Sequence, residues 1–204
     1  MSQLIAALLV LLATVSALAA EPVTGAMSAR PGATGWALER DVATPSYAVI
    51  EPASTALNID SLVLSCEQGP HRRGLQLRLY LSGAGPLAPR SGATLKDDAT
   101  VDLAIDNRSH AAQLLYADDF VVVADAADGS LPLLSDTLLD ALQMGRRMEL
   151  RFLIARAAHG RTPAFDSMAV VHLQAGPGGA AVADLRRCAS GPDPQFAERV
   201  GRAY

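Results

Sequence analysis

Lysine is almost absent: Lys96 is the single one in 204 residues, and arginine carries nearly all the positive charge. Aromatic residues are scarce too, at 4% of the chain, with Trp36 the sole tryptophan. A core must therefore be built from Leu, Val, Ile and Ala, and the 50% hydrophobic content is ample for one. There is no basic excess either, because 17 Lys and Arg stand against 21 Asp and Glu for a formal charge of −4. That balance excludes a broad phosphate-neutralising face, so neither nucleic acid nor anionic lipid is expected as a partner. Few lysines beside abundant Ala and Gly read as GC-rich coding, which points to a bacterial source.

Charge is missing altogether from the first twenty residues. Residues 4–12 form an apolar run, Ala-rich sequence follows, and Ala17-Leu18-Ala19 satisfies the small-x-small rule of signal peptidase. We expect a secretory signal at 1–19, cleaved after Ala19, although Met1-Ser2-Gln3 supplies no basic side chain for the usual n-region. The competing reading is a retained anchor, for which about seventeen apolar residues are short. No later stretch suits a membrane span, and no Cys follows the apolar run to take a lipid. Residues 20–35 are rich in Gly, Ala, Thr and Pro and read as a flexible leader. The folded domain is expected over 36–189, with a polar tail at 190–204. Only two cysteines are present, Cys66 and Cys188. In an exported chain they are expected to form one disulfide.

The strongest periodicity is that of strands. Leu75, Leu77, Leu79 and Leu81 alternate with Gln76, Arg78, Tyr80 and Ser82, a period of two with one buried face. Before them Leu62, Leu64 and Cys66 share a face, and the polar segment 67–74 reads as the turn of a hairpin with Cys66 on its core side. Short strands are expected at 36–39 and 47–50. Val101, Leu103 and Ile105 alternate next, Asn107-Arg108 turns, and 112–116 returns. Residues 120–124, 148–154 and 165–173 complete the set. Ser135 reads as the N-cap of a helix with an apolar stripe at Leu138, Leu139 and Leu142, stopped at Gly145. A second helix is expected at 180–188. About eight strands with few loops long enough for crossover helices predict a mainly β fold, an antiparallel β-sandwich or flattened barrel with two short helices.

Motifs that carry chemistry are sparse. Gly176-Pro177-Gly178-Gly179-Ala180-Ala181 matches the Gly-x-Gly-x-x-Ala dinucleotide fingerprint between a strand and a helix. Pro177 removes a backbone donor, though, and no βαβ unit follows, so a tight turn before a packing helix is expected. The four histidines, His71, His110, His159 and His172, have no metal-ligand spacing, so no metal site or cofactor is expected. No Gly-x-Ser-x-Gly elbow appears, and Ser65 reads as structural. Asp97-Asp98, Asp118-Asp119, Asp125 and Asp128 are read as turn residues. Arg72-Arg73 and Arg186-Arg187 each lie close to one end of the expected disulfide and form a candidate anion patch. Placement on the last turn of a helix also accounts for Arg186-Arg187 without a ligand.

Two segments carry a resemblance. Residues 57–66, ending in Ser65-Cys66, lead through a turn into the Leu-alternating strand. Phe165-Asp166, the glycines at 176–179 and the helical run ending Arg186-Arg187-Cys188 form the second. Together they resemble small exported bacterial β-proteins such as the type VI secretion accessory protein TagO and, more loosely, the invasion-associated locus B family. The resemblance implies a periplasmic or secreted β-sandwich accessory protein without catalysis, bringing no catalytic residue with it. The expected function is thus non-enzymatic, with another envelope or secreted protein as partner. Two alternatives stand beside it: an envelope hydrolase using Asp118, Asp119 and Asp125, and a carrier of small apolar ligands.

Overall fold

The structure, a computed structural model, describes residues 28–29, 35–83, 87, 99–117, 119–152, 167–174 and 178–190. Thirteen strands and two helices occur among them: β1 (Ser28–Ala29), β2 (Ala37–Leu38), β3 (Tyr47–Ile50), β4 (Ser54–Thr55), β5 (Ile59–Gln68), β6 (Arg73–Leu81), β7 (Thr100–Ile105), β8 (Arg108–Tyr116), β9 (Phe120–Ala124), β10 (Ala126–Asp128), β11 (Leu131–Leu133), α1 (Asp136–Met144), β12 (Arg147–Phe152), β13 (Ser167–His172) and α2 (Gly178–Ser190). Within the segment read as a leader, Ser28 and Ala29 pair with Thr55 and Ser54.

Eleven strands make one sheet in the order β1-β4-β13-β12-β7-β8-β9-β6-β5-β3-β2, and β10 and β11 form a separate hairpin. Every pairing is antiparallel. The chain itself forces this sheet to curl. β3 lies next to one edge and β4 next to the other, yet only residues 51–53 separate them. Four peptide units reach at most about 14 Å, so the two ends of the sheet are drawn together. The mainly β, flattened-barrel expectation is met as a curled, half-barrel sheet with two helices. Both outermost strands are two residues long, which limits the unpaired edge offered to other chains.

Alternation decides which side is inside. Leu62, Leu64, Leu75, Leu77, Leu79, Leu103, Val123 and Leu150 line the concave face and are fully buried in one cluster. Leu138, Leu139 and Leu142 of α1 and Ala181, Val182 and Leu185 of α2 join that cluster. The β5–β6 register, Leu62 to Leu79, Leu64 to Leu77 and Cys66 to Leu75, puts Cys66 on the core side as expected. The opposite, convex face carries the polar positions of β6 and β12, among them Gln76, Arg78, Glu149 and Arg151.

Several local outcomes differ from the sequence reading, β4, β10 and β11 being strands it did not expect. The β7–β8 turn is Asp106-Asn107, one residue earlier, with φ of 43° and 72°. Two successive positive φ values are those of a tight hairpin turn whose twist suits the strands, and Asp and Asn tolerate them. β8 therefore begins at Arg108 rather than near Ala112. α2 starts at Gly178, two residues early, because its first turn is packed: a Cβ on Gly178 would sit 1.7 Å from the Leu173 carbonyl oxygen.

Candidate functional site

Four carboxylates, Asp128, Asp125, Asp106 and Glu39, hold backbone in place. Asp128, at the end of β10, accepts from the backbone N–H of His71 at 3.0 Å and of Arg72 at 3.1 Å, and its other oxygen meets His71 Nδ1 at 2.8 Å. The His71 amide, foremost, holds its carboxyl below the usual carboxylate range against the opposing effect of burial. Asp128 thereby staples the β5–β6 turn, and a Cβ on Gly69 would run into its Oδ2 at 2.3 Å. Asp125 accepts from the Ser135 N–H at 2.7 Å and the Ser135 hydroxyl at 2.5 Å, while Ser135 Oγ accepts from Leu138 N–H at 3.2 Å. Asp106 accepts from the amides of Arg146 and Arg147 at 2.9 and 3.0 Å, and these two bonds lower its pKa. Glu39 does the same for Ser46, through its backbone N–H and its hydroxyl.

This arrangement separates the acids named for a hydrolase. Asp119 and Asp125 flank β9 at opposite ends, six residues apart, which along a strand is about 20 Å. Asp118 lies outside the described residues, as do Asp97, Asp98 and His159. Among the described residues, no group of three or more His, Cys, Asp and Glu is placed to hold a metal ion. His172 ends β13 exposed on the convex face. His110 points inward opposite Leu103, with Nε2 buried and unpartnered. Gly176 and Pro177 are outside the described residues. Gly178 is explained by its contact with Leu173, and Gly179 by the Gln143 carbonyl oxygen 2.8 Å from where its Cβ would be.

Cys66 and Cys188 are joined by a disulfide, with Cα atoms 6.4 Å apart across 122 residues of sequence. It fastens α2 to β5. The arginine pairs near its two ends are engaged separately. Arg186 reaches across to α1, where it pairs with Asp140 and donates to Gln143 Oε1 at 3.1 Å. Arg187 pairs with Asp184 at 2.6 Å on its own helix, and Arg73 Nε donates to Gln68 Oε1 at 3.0 Å. Arg72 is tied by its backbone to Asp128.

Two clefts open on the convex face. One, of about 490 Å³, lies beneath the β10–β11 hairpin and is lined by Ala111, Gln113, Leu115, Ala127 and Pro132 among others. The other, of about 320 Å³, lies over β3, β5 and β6. Its residues follow from the register: Tyr47 pairs with Ser65 and Ser65 with Gln76, and Val49 pairs with Val63 and Val63 with Arg78. Arg78 Nη2 donates to Glu67 Oε1 at 2.5 Å and Nε to Gln76 Oε1 at 2.7 Å, while its guanidinium lies 4.8 Å from the Phe120 ring centre. Tyr80 packs on Phe120 with ring centres 5.6 Å apart. Ser65 Oγ is buried without a hydrogen-bond partner. None of Tyr47, Glu67, Arg78 and Tyr80 was singled out by sequence reasoning. Their visible signal was an unusually long-chained polar face on β6, which reads as ordinary solvent exposure until strand register brings Tyr47 and Glu67 to it.

Compared with family models, curated proteins and solved structures, the chain shows no significant match to any of them.

Proposed function

We propose that the protein is exported and acts as a non-enzymatic binding or accessory component of the bacterial cell envelope, periplasmic or secreted. The observation that carries this reading is the Cys66–Cys188 disulfide. Such bonds persist in oxidising compartments and are rare where thiols are kept reduced. The uncharged apolar segment at 1–19 supplies a route to that compartment, and no described helix is long and apolar enough to cross a membrane. A binding role is supported by how the acids are used, since Asp106, Asp125 and Asp128 serve backbone amides. Recognition then falls to the convex face of the sheet, where both clefts lie. The partner expected is another envelope component.

The test is the intact mass of the protein recovered from a periplasmic extract, with and without reductant. A chain beginning at Ala20 and two hydrogens lighter before reduction supports export and the bridge together. A full-length, reduced chain in the cytosol overturns the reading.

A further inference from the structure

The convex face carries an apolar patch over β3 and β5. Tyr47 and Val49 share one face of β3, and the register sets Val49 opposite Val63 of β5. Tyr47 is 40% exposed, and Val49 and Val63 are half-buried. Glu67 and Arg78 bound the patch as an ion pair, so its rim is polar and carries no net charge. The backbones of β3, β5 and β6 are paired with one another, so an extended strand finds no free edge there. What the patch suits is a segment with apolar side chains and charges of both signs.

Such a segment leaves the fold beside it. α2 ends at Ser190, two residues past Cys188, whose Cα lies 6.4 Å from that of Cys66. Cys66 and Ser46 belong to the rim of the cleft, where the Cys66 amide donates to the Ser46 carbonyl at 2.8 Å. Val63 lies three residues along β5 from Cys66, about 10 Å. The sequence that continues from Ser190 is polar on average. Yet Phe196, Val200 and Tyr204 recur at every fourth position, the spacing of an apolar helical stripe, with Glu198, Arg199 and Arg202 between them. The six peptide units from Ser190 to Phe196 extend to about 20 Å, enough to pass the strand ends and reach Val49 and Val63.

We propose that residues 195–204 dock on this patch of their own chain, with Phe196 against Tyr47, Val49 and Val63 and the charges of the tail beside the Glu67–Arg78 pair. The tether favours this occupant over a free partner. A short linker holds an attached segment at an effective concentration of about millimolar, so a weak contact keeps the patch covered. Complementary charges set the orientation, since Arg199 and Arg202 suit Glu67 and Glu198 suits Arg78. The disulfide fixes the point of departure by pinning the last turn of α2 to β5. The contact itself does not depend on where the protein acts. Its consequence, that the cleft beneath β10–β11 is the one left open to a partner, rests on the binding reading above.

The experiment uses the oxidised, isotope-labelled protein. In NMR spectra the ring protons of Phe196 should show nuclear Overhauser contacts to the methyl groups of Val49 and Val63. Trypsin should cut after Arg199 and Arg202 at least tenfold faster in Phe196→Ser and in Val63→Ser than in the parent, with circular dichroism showing that both variants fold. Leu115→Ala, in the other cleft, should be cut at the parental rate. Absence of any contact between Phe196 and the patch overturns the proposal, as do equal cleavage rates in the parent and Phe196→Ser. In a mixture of labelled and unlabelled protein, contacts seen only between molecules would give the patch to the tail of a second copy and overturn it as well. None of these readouts involves a partner or a compartment, so a failure of the export or binding reading leaves the contact standing, and its own failure leaves that reading untouched.

Discussion

Asp128 shows how one residue can organise a distant turn. It is 57 positions from His71 in sequence, yet its carboxylate takes two consecutive amides of the β5–β6 turn. Because these bonds favour the charged form, its folded pKa lies below the unfolded value of about 4. Its contribution is therefore complete above about pH 4 and is lost as pH falls through the lower, folded value. Asp128→Asn should melt at a lower temperature than the parent at pH 7, and the gap should shrink as pH drops below about 4. Thermal melts of both proteins from pH 7 to pH 2 check this; a constant gap would show that the charge contributes nothing. Ser65 makes the opposite case. Removing a buried hydroxyl that lacks a partner should be neutral or stabilise by up to about 1 kcal/mol, so Ser65→Ala should unfold at equal or higher urea. A marked loss of stability would mean that Ser65 has a structural bond after all.

At the scale of elements, the start of each helix is set by a specific contact. Ser135 caps α1 by accepting from Leu138 N–H, and Asp125 fixes the Ser135 hydroxyl and amide. Ser135→Ala should cost about 1 kcal/mol, read as a lower urea midpoint with unchanged slope. α2 depends on close approach instead. Gly178→Ala would place a methyl against the Leu173 carbonyl, forcing the first turn off β13, and should cost more than about 2 kcal/mol. A fully stable Gly178→Ala protein would contradict that packing and reopen the glycine run as a ligand loop. Elements such as these were legible because their causes are local. The β5–β6 hairpin follows from two alternating runs, and α1 from Ser135, three leucines and Gly145. Legibility stopped where tertiary packing set the boundary. Ala180 looked like the first helical residue because two glycines are poor helix formers, but contact with β13 and α1 recruits them. The Asp106-Asn107 turn slipped by one because either dipeptide satisfies turn chemistry, and only the pairing of Ile105 with Arg108 selects between them.

The whole molecule is where the sequence says least about the site. Tyr47, Ser65 and Tyr80 come from three strands, and nothing local in any of them announces the others. The strand order β6-β5-β3 brings them onto one face. The disulfide is the long-range link that the sequence did announce, because two cysteines admit one intramolecular pairing. It closes 122 residues and pins the last described helix to the strand beneath the pocket. On the chain-entropy account such a closure stabilises by about 4–5 kcal/mol, acting mainly on the unfolded ensemble. Total stability of a domain is about 5–15 kcal/mol, so the reduced protein should stay folded at 25 °C with a much narrower margin. Urea unfolding with and without reductant, followed by far-ultraviolet circular dichroism, measures that difference directly. The expected result is a fall of about 4 kcal/mol and a steeper urea dependence, because the released chain exposes more surface when it unfolds. The Cys66→Ala, Cys188→Ala double variant should reproduce the reduced protein. Equal stability in both redox states would show that α2 is held by Val182, Leu185 and Arg186 alone, and that oxidation adds nothing to the fold.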